Sequence, residues 1–114
     1  MGTCIFCKIV EKIVPSSIVY EDDLTLAFED INPHAPVHTI VIPKRHIPTL
    51  LDIGEEDVNL IGHMFHVAAT IAREKGVAEK GFRIVHNCND EGGQRVYHFH
   101  LHLLGGRPMR SPFG

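Results

Sequence analysis

Apolar and polar residues alternate strictly from Tyr97 to Leu103, within a segment, Val96 to Leu104, that has a glycine pair on either side. A period of two, with aromatic and branched side chains, predicts a β-strand whose successive side chains point to opposite faces. One face carries a row of imidazoles: His98, His100 and His102. The other carries large hydrophobic groups: Tyr97, Phe99, Leu101 and Leu103. Because each buried polar ring needs a partner, three aligned histidines indicate a chemical role.

The longest segment with a helical period runs from Asp52 to Lys75. Its apolar residues recur every three or four positions and form one stripe: Val58, Ile61, Met64, Phe65, Ala68, Ile71 and Ala72. Asp52 followed by Glu55 predicts a capping box at the start of the helix. His63 and His66 lie three residues apart on it, and we expect them to be exposed or interface side chains rather than metal ligands.

Shorter segments complete an α+β pattern. Residues 4–11 predict a short N-terminal helix, residues 19–21 and 24–29 a hairpin, and residues 38–42 and 81–87 two further strands. With the histidine strand, these predict a five-stranded, meander-like antiparallel sheet with one long helix. We expect a single domain over residues 1–114. Since a chain of this length buries only a modest core, we also expect a homodimer in which two copies form a continuous sheet.

Composition and charge narrow the classes of partner. The net charge is −3 and the basic residues are scattered, which argues against a nucleic-acid polymer as partner. No apolar run approaches the roughly 20 residues needed to span a bilayer, and the N-terminal residues lack the order of a secretory signal. Three cysteines do not make a disulfide framework. We therefore expect a cytoplasmic protein with no membrane partner.

Two kinds of chemistry suit the histidine row. Ligation of one metal ion by all three rings is the first, but on a strand the α-carbons of His98 and His102 would lie roughly 13 Å apart. Such rings do not readily converge on an ion that needs nitrogens at about 2.0–2.1 Å. Nucleophilic catalysis is the second, since neutral imidazole has a lone pair near pH 7 and can attack phosphorus or an acyl carbon. The middle ring, His100, is the candidate nucleophile.

Cys4 and Cys7 form a Cys-x-x-Cys pair near the start of the chain. On spacing alone, this pair can be a redox pair, half of a zinc site or two ordinary thiols. A structural zinc site needs about four ligands, and the nine histidines offer candidates for the other two. The redox alternative is weakened by the lack of a βαβ pattern nearby.

The segment from His98 to Leu104 has the pattern His-x-His-x-His-x-x, with apolar x, that names the histidine triad superfamily. The chain resembles the nucleoside-phosphoramidate hydrolase branch of this family, often called the Hint or protein kinase C inhibitor-like proteins. The resemblance runs through residues 4–9, 27–31, 36–47 and 103–109, and so covers nearly the whole chain. It implies an enzyme that acts on nucleotides.

The resemblance also implies roles for individual residues. His100 would be the nucleophile, and His102 would donate hydrogen bonds to phosphate oxygens. His38 would stabilise the active site from behind the triad. Four ligands would form a structural zinc site: Cys4, Cys7, His46 and His98. Within it, His98 orients the triad without direct chemistry, and no catalytic metal is required. A base-binding slot is implied for four apolar residues: Phe6, Ile9, Phe28 and Ile31. Asp30 would hold the ribose hydroxyls, since a carboxylate accepts from both donors of a diol.

A polar turn before the triad is the implied phosphate site. The amide of Gly93 can cradle a phosphate oxygen, and the side chains of Asn87 and Gln94 would add donors. Arg95 departs from the family pattern, in which a small hydroxyl residue is usual. An arginine there can strengthen anion binding, point to solvent or alter the preferred leaving group.

We therefore expect hydrolysis of nucleoside phosphoramidates, or of related nucleoside monophosphate derivatives, through a covalent nucleotidyl-histidine intermediate on His100. Purine nucleotides are the expected ligands. Two alternatives are a non-catalytic regulatory module that binds purine nucleotides and a hydrolase of dinucleoside polyphosphates. A third is a metal-dependent hydrolase that uses His100 and His102 as ligands.

Overall fold

The computed structural model describes residues 3–113, in which two helices and five strands follow one another along the chain. The helices are α1 (Ile5–Val10) and α2 (Val58–Glu74). The strands are β1 (Ile18–Glu21), β2 (Thr25–Glu29), β3 (Val37–Pro43), β4 (Phe82–Val85) and β5 (Leu101–Gly105). The predicted α+β class is confirmed. Neither helix has the length and apolar character that crossing a membrane requires.

The strands form one antiparallel sheet in the order β1-β2-β3-β5-β4. The predicted hairpin is formed by β1 and β2, and Asp22 closes its turn by accepting from the backbone N–H groups of Leu24 and Thr25, both at 2.8 Å. The sheet departs from a simple meander because β5 lies between β3 and β4. The histidine-bearing strand is therefore at the interior of the sheet, and β4 is at one edge.

Alternating side chains build a separate core on each face of the sheet. On one face, the stripe of α2 packs against strand and loop residues: Ala27, Val41, Phe99, Leu101 and Leu103. On the other face, Phe6 and Ile9 of α1 pack against strand residues: Leu26, Phe28, Ile40 and Ile42. His102 is registered opposite Ile40, so its side chain lies on the α1 face. Since α1 has only six residues, it leaves part of that face open beside the histidines.

The long helix begins later than its hydrophobic pattern predicts. Residues Leu50–Asp52 and Glu55–Asp57 form two separate 3-10 turns, and α2 starts at Val58. The predicted capping box of Asp52 with Glu55 is wrong, because the Asp52 carboxylate turns back and accepts from the backbone N–H and the hydroxyl of Thr49, at 3.0 and 2.8 Å. Asp57 in turn accepts from the N–H of Gly54, at 3.0 Å.

The histidine strand is also shorter than the predicted range of residues 96–104. The backbone bends at residues 96–98, and strand pairing begins only at Leu101. His98 Nε2 donates to the carbonyl oxygen of Pro43 at 2.8 Å, and the N–H of Phe99 donates to that of Ile47 at 2.6 Å. These bonds hold the bend to the segment that follows β3. Similarly, the strand predicted for residues 81–87 covers only Phe82–Val85.

Candidate active site

A cavity of about 830 Å³ opens on the α1 face of the sheet, where β3 and β5 lie side by side. Its lining includes many of the residues that the sequence singles out: Phe6, Ile9, Phe28, Asp30, Ile31, His38, Asn87, Gly93, Arg95, His100 and His102. The volume lies in the usual range for sites that bind small molecules. Two of the predicted catalytic and nucleotide-binding residues are absent from the lining: His98, which belongs to a second cluster, and Gln94, whose side chain is turned into the loop.

Backbone contacts fix the tautomer of His100. Its Nδ1 lies 2.7 Å from the carbonyl oxygen of His98, and because a carbonyl only accepts, the proton is on Nδ1. The lone pair is then on Nε2, which has no hydrogen-bond partner among residues 3–113, and the ring lines the cavity. Phe6 packs edge-on against the same ring, with the centroids 5.1 Å apart. His100 therefore presents a free electron pair to the cavity from a ring that is held in place.

A chain of hydrogen bonds fixes the opposite tautomer in His102. The backbone N–H of His34 donates to His38 Nδ1 at 3.0 Å, which leaves the proton of His38 on Nε2. That Nε2 donates to His102 Nδ1 at 2.9 Å. The proton of His102 is consequently on its own Nε2. His102 can donate a hydrogen bond in the cavity beside the lone pair of His100, since the two ring centroids are 5.0 Å apart.

Burial favours the neutral ring in four histidines of this region, His38, His98, His100 and His102. Burial lowers the pKa of His102 to about 4, and the neighbouring rings of His100 and His38 contribute to the shift. Burial also lowers the pKa of His98 to about 4. The pKa values of His38 and His100 shift in the same direction, chiefly through burial. Neutral rings supply the lone pair and the donor that nucleophilic attack requires.

Asp30 follows β2 and lies beside the hydrogen-bonded pair of His38 and His102. One carboxylate oxygen accepts from the N–H of Asn32 at 2.8 Å, and the other lies 3.3 Å from His38 Nε2. The ligand atoms of Asp30, His38 and His102 lie within 4.8 Å of one another, and the His38 Nε2–H occupies the space between them. Asp30 is partly exposed and keeps lone pairs free to accept from hydroxyl groups in the cavity.

The apolar part of the cavity lies between α1 and β2. Phe6 and Phe28 meet edge to face with centroids 5.4 Å apart, and both rings are buried. Ile9 is also buried, whereas Ile31 stands at the rim with 91% of its surface exposed. The four residues predicted for the base slot therefore do line one cavity, with three in its wall and one at its edge.

The turn before the triad differs from the predicted phosphate cradle. The N–H of Gly93 donates to Asp90 at 3.0 Å and the N–H of Gln94 donates to Asn89 at 3.0 Å, so both amides are already bonded. The Gln94 side-chain amide is also bonded at both ends. Its Nε2 donates to the carbonyl oxygens of Pro48 and Val96, at 2.8 and 3.1 Å. Its Oε1 accepts from the N–H of Asn89 at 2.8 Å. Gln94 therefore holds the loop rather than donating to a ligand.

Two side chains of this turn remain available to a ligand. Asn87 Nδ2 donates to the carbonyl oxygen of Gly92 at 2.7 Å, which leaves its second N–H for the cavity. Gly92 is required at the turn, because a Cβ there would lie 2.3 Å from the carbonyl oxygen of Cys88. Arg95 is exposed, lines the cavity and makes no hydrogen bond or ion pair with residues 3–113.

The second cluster brings together the four predicted metal ligands, Cys4, Cys7, His46 and His98. The two histidine Nδ1 atoms are 3.2 Å apart, and His98 Nδ1 lies 3.4 Å from Cys4 Sγ and 3.6 Å from Cys7 Sγ. A tetrahedron with Zn–N of about 2.0–2.1 Å and Zn–S of about 2.3 Å has edges of roughly 3.3–3.6 Å between these atom types. The spacing of the four ligand atoms fits such a site, and the cluster can hold a metal ion.

The tautomer of His98 agrees with this ligand role. Its Nε2 donates to Pro43, so the lone pair is on Nδ1, the atom that faces the cysteines. Burial and the neighbouring Cys4 thiol raise the pKa of Cys7 to about 11. A cation bound by the cluster would favour the thiolate form of Cys7. The bend before β5 therefore separates His98, with its lone pair in this cluster, from His100 and His102, which line the cavity.

Two further histidines support the site and were not among the predicted site residues: His34 contacts His38, and His86 contacts His100. His34 lines the cavity and its N–H sets the tautomer of His38. His86 follows β4, and its Nδ1 donates to the carbonyl oxygen of His100 at 2.9 Å, while its ring lies 4.4 Å from that of Phe99. Both act through the main chain, a kind of contact that residue spacing does not reveal.

Comparisons with known proteins agree with this geometry. Residues 3–111 match the family model described as scavenger mRNA decapping enzyme C-terminal binding. The purine nucleoside phosphoramidase of Escherichia coli K12 is 52% identical over 105 residues, which cover 92% of this chain and 88% of that protein. An uncharacterized HIT-like protein of Synechocystis is 49% identical over 110 residues, 96% of each chain.

Solved structures show the same similarity. A HIT family hydrolase from Legionella pneumophila superposes with a TM-score of 0.95 at 47% identity, over 98% of this chain and 100% of the other. A histidine triad protein from Clostridium difficile gives 0.94 at 45% identity, over 97% and 96%. The fold, the histidine row and these relatives agree along nearly the whole chain, and the protein is therefore a hydrolase of the histidine triad family.

Proposed function

We propose that this protein hydrolyses nucleoside phosphoramidates, with a purine nucleoside monophosphate as the retained part of the substrate. The observation that carries the proposal is the free Nε2 lone pair of His100, held beside the Nε2–H donor of His102 in a cavity with an apolar slot. The similarity to a purine nucleoside phosphoramidase supports the choice of substrate.

In the proposed reaction, His100 Nε2 attacks phosphorus in line with the bond to the leaving nitrogen. The P–N bond breaks while the leaving nitrogen takes up a proton from solvent, so that it departs as the amine, and a nucleotidyl-histidine intermediate forms. Water then attacks the same phosphorus and returns a proton to solvent as the P–N bond to His100 breaks, which releases the nucleoside monophosphate and restores neutral His100. His102 Nε2–H and the free N–H of Asn87 donate to phosphoryl oxygens as charge develops on them.

The rest of the cavity would position the nucleoside. The base would lie against the aromatic and branched side chains of α1 and β2, and the ribose hydroxyls would donate to the Asp30 carboxylate. Because the carboxylate also lies close to His38, ribose binding and the His38–His102 pair share one wall of the site.

We propose zinc as the ion of the cysteine–histidine cluster. Bound zinc would join three segments that the cluster brings together: α1, the chain after β3 and the bend before β5. It would stabilise the bend whose His98 carbonyl holds the nucleophile ring, and the chemical steps would need no catalytic metal. Cysteine ligands need a reducing compartment, which supports a cytoplasmic location.

We also propose that the protein is a homodimer that forms a continuous sheet. Strand β4 is an edge strand, and an unpaired strand edge is a template for another strand. Phe82 on this strand is 37% exposed. Pairing of two β4 strands would cover both edges and the phenylalanine.

The test of the activity is turnover of adenosine phosphoramidates by the wild type and by His100→Ala. We expect release of adenosine monophosphate by the wild type and a loss of at least ~10³-fold in kcat for the variant. His66→Ala, which removes an exposed ring on α2, is the matched control and should keep the wild-type rate. Wild-type turnover by His100→Ala, or no turnover of any nucleoside phosphoramidate, would contradict the proposal. Dinucleoside polyphosphates in the same panel test the alternative substrate class.

A further inference from the structure

Arg95 is a cation placed between two cavities. Besides the main cavity, it lines a smaller one of about 360 Å³ whose other walls are Thr3, Cys4, Ile5, His46, Val96 and Tyr97. Arg95, Ile5 and Val96 line both spaces. Within residues 3–113, Arg95 is the only lysine or arginine in either lining, and it has no carboxylate or carbonyl partner there.

The two cavities differ in the groups that they offer. The main cavity contains every residue of the base slot, together with Asp30 and the two reactive histidines. The smaller cavity contains none of these residues, and two of its walls, Cys4 and His46, belong to the cysteine–histidine cluster. The two cavities adjoin along Arg95, Ile5 and Val96. With the nucleoside in the main cavity and its phosphorus at His100, a leaving group that extends toward Arg95 would reach the smaller cavity.

Phosphoryl oxygens have other donors available. His102 Nε2–H and the second N–H of Asn87 both belong to the main cavity, as the proposed function uses them. The guanidinium of Arg95 is therefore available to a further anion. A guanidinium binds carboxylate through two parallel hydrogen bonds, a geometry that neutral leaving groups do not offer.

We infer that Arg95 and the smaller cavity form a subsite for an anionic leaving group, and that the preferred substrates are phosphoramidates whose leaving amine carries a carboxylate, such as N-linked amino acids. This inference rests on the proposed function. In the reaction the P–N bond breaks as before and the amine takes the proton. The carboxylate is unchanged, and Arg95 acts only as a binding group that determines specificity.

The test compares adenosine 5′-phosphoramidates of glycine and of glycinamide, which differ in the charge of the leaving group. The quantity to follow is the ratio of kcat/KM for the two substrates, measured for the wild type, Arg95→Gln and Arg95→Lys. We expect the ratio to fall about threefold to tenfold in Arg95→Gln and to fall less in Arg95→Lys, which keeps the charge. Salt should lower the wild-type ratio but not that of Arg95→Gln. Arg73→Gln, on the exposed side of α2, is the matched charge control and should keep the wild-type ratio.

The outcomes separate the inference from the proposed function. An equal loss for both substrates in Arg95→Gln would place the guanidinium on the phosphate, and an unchanged ratio would leave it in solvent; either result overturns the subsite. Turnover of a dinucleoside polyphosphate that depends on Arg95, without an effect on the glycine substrate, would overturn the carboxylate preference. Turnover of neither phosphoramidate by the wild type would refute the proposed function, and the subsite with it.

Discussion

The three triad histidines differ in role because each has a different hydrogen-bond partner. A carbonyl fixes the proton of His98 on Nε2, a carbonyl fixes that of His100 on Nδ1, and the ring of His38 fixes that of His102 on Nε2. Alternation in the sequence predicted that these rings would act together. It could not predict which nitrogen of each ring is free, because that depends on main-chain groups of distant segments such as Pro43.

The contact between His38 and His102 leads to a prediction about kcat. Replacement of His38 by leucine removes the donor to His102 Nδ1, so the ring can lose the Nε2–H tautomer. We expect kcat to fall about 10²-fold with little change in KM, and His38→Gln, which keeps an N–H donor, to recover part of the loss. Steady-state kinetics of the two variants check this. Equal losses of kcat in both variants, or a change confined to KM, would contradict the role of the hydrogen bond from His38 to His102.

At the scale of elements, the hydrophobic period located both helices and the hairpin, but it misplaced their ends. Most of the α2 stripe is buried, but Val58 and Phe65 are exposed and Val67, which the pattern left out, is buried. Local bonds of Asp52 and Asp57 also form two 3-10 turns where the pattern placed the first helical turns. The histidine strand is interrupted because His98 and Phe99 bond to the chain after β3. Nothing in the local period encodes such long-range bonds, nor the insertion of β5 between β3 and β4.

Asp22 links the β1–β2 turn to the long helix. Tyr20 Oη donates to its Oδ2 at 2.7 Å, and His63 Nε2 of α2 lies 2.7 Å from the same oxygen. Burial raises the pKa of Asp22, but the hydrogen bonds from Tyr20, His63, Leu24 and Thr25 outweigh it, and the pKa lies well below its usual value. His63 therefore joins α2 to the β1–β2 turn through a polar contact.

Substitution of Asp22 by asparagine should destabilise the fold at neutral pH. We expect a loss of about 1–3 kcal/mol in the free energy of unfolding at pH 7, because charged hydrogen bonds are lost. Since the folded pKa is depressed, the stabilisation is full above the unfolded value of about 3.9 and is lost as the pH falls through the folded value. Urea titrations between pH 7 and pH 3 should show the gap to wild type narrowing, with the exposed Asp23→Asn as control. A gap that widens in acid would contradict the assignment.

For the whole molecule, the cysteine–histidine cluster shows which distant segments of the chain meet. Its ligands come from the start of α1, from the chain after β3 and from the bend before β5. The Cys-x-x-Cys spacing indicated half of this site, and the resemblance implied the remainder. Folding is what places His46 and His98 within reach, since they are 52 residues apart.

We predict about one zinc per chain in purified protein, and a marked loss of zinc in Cys4→Ser. An ion present at 100 times its Kd adds about 2.7 kcal/mol to the stability of the state that binds it. A chelator should therefore lower the Tm of the wild type, and Cys88→Ser, outside the cluster, should behave as the wild type. Metal analysis and thermal unfolding check both points. Protein purified without metal, with a Tm that a chelator does not change, would contradict the zinc site.

The exposed edge of β4 predicts the oligomeric state. We expect the wild type to sediment as a dimer and Phe82→Asp to shift toward monomer, because a carboxylate at the paired edge would be buried without a partner. Ile13→Asp, which changes an exposed side chain beyond α1, should remain dimeric. A monomeric wild type, or a variant as dimeric as the wild type, would argue against pairing through β4.

The most direct measurement of the central claim is mass spectrometry of the protein quenched during turnover of an adenosine phosphoramidate. The account predicts that an adenosine monophosphate group is attached to the peptide that contains His100, that fragmentation places it on that ring, and that His100→Ala carries none. Turnover without any adduct under rapid quench, or an adduct on another residue, would contradict the assignment of His100 as the nucleophile.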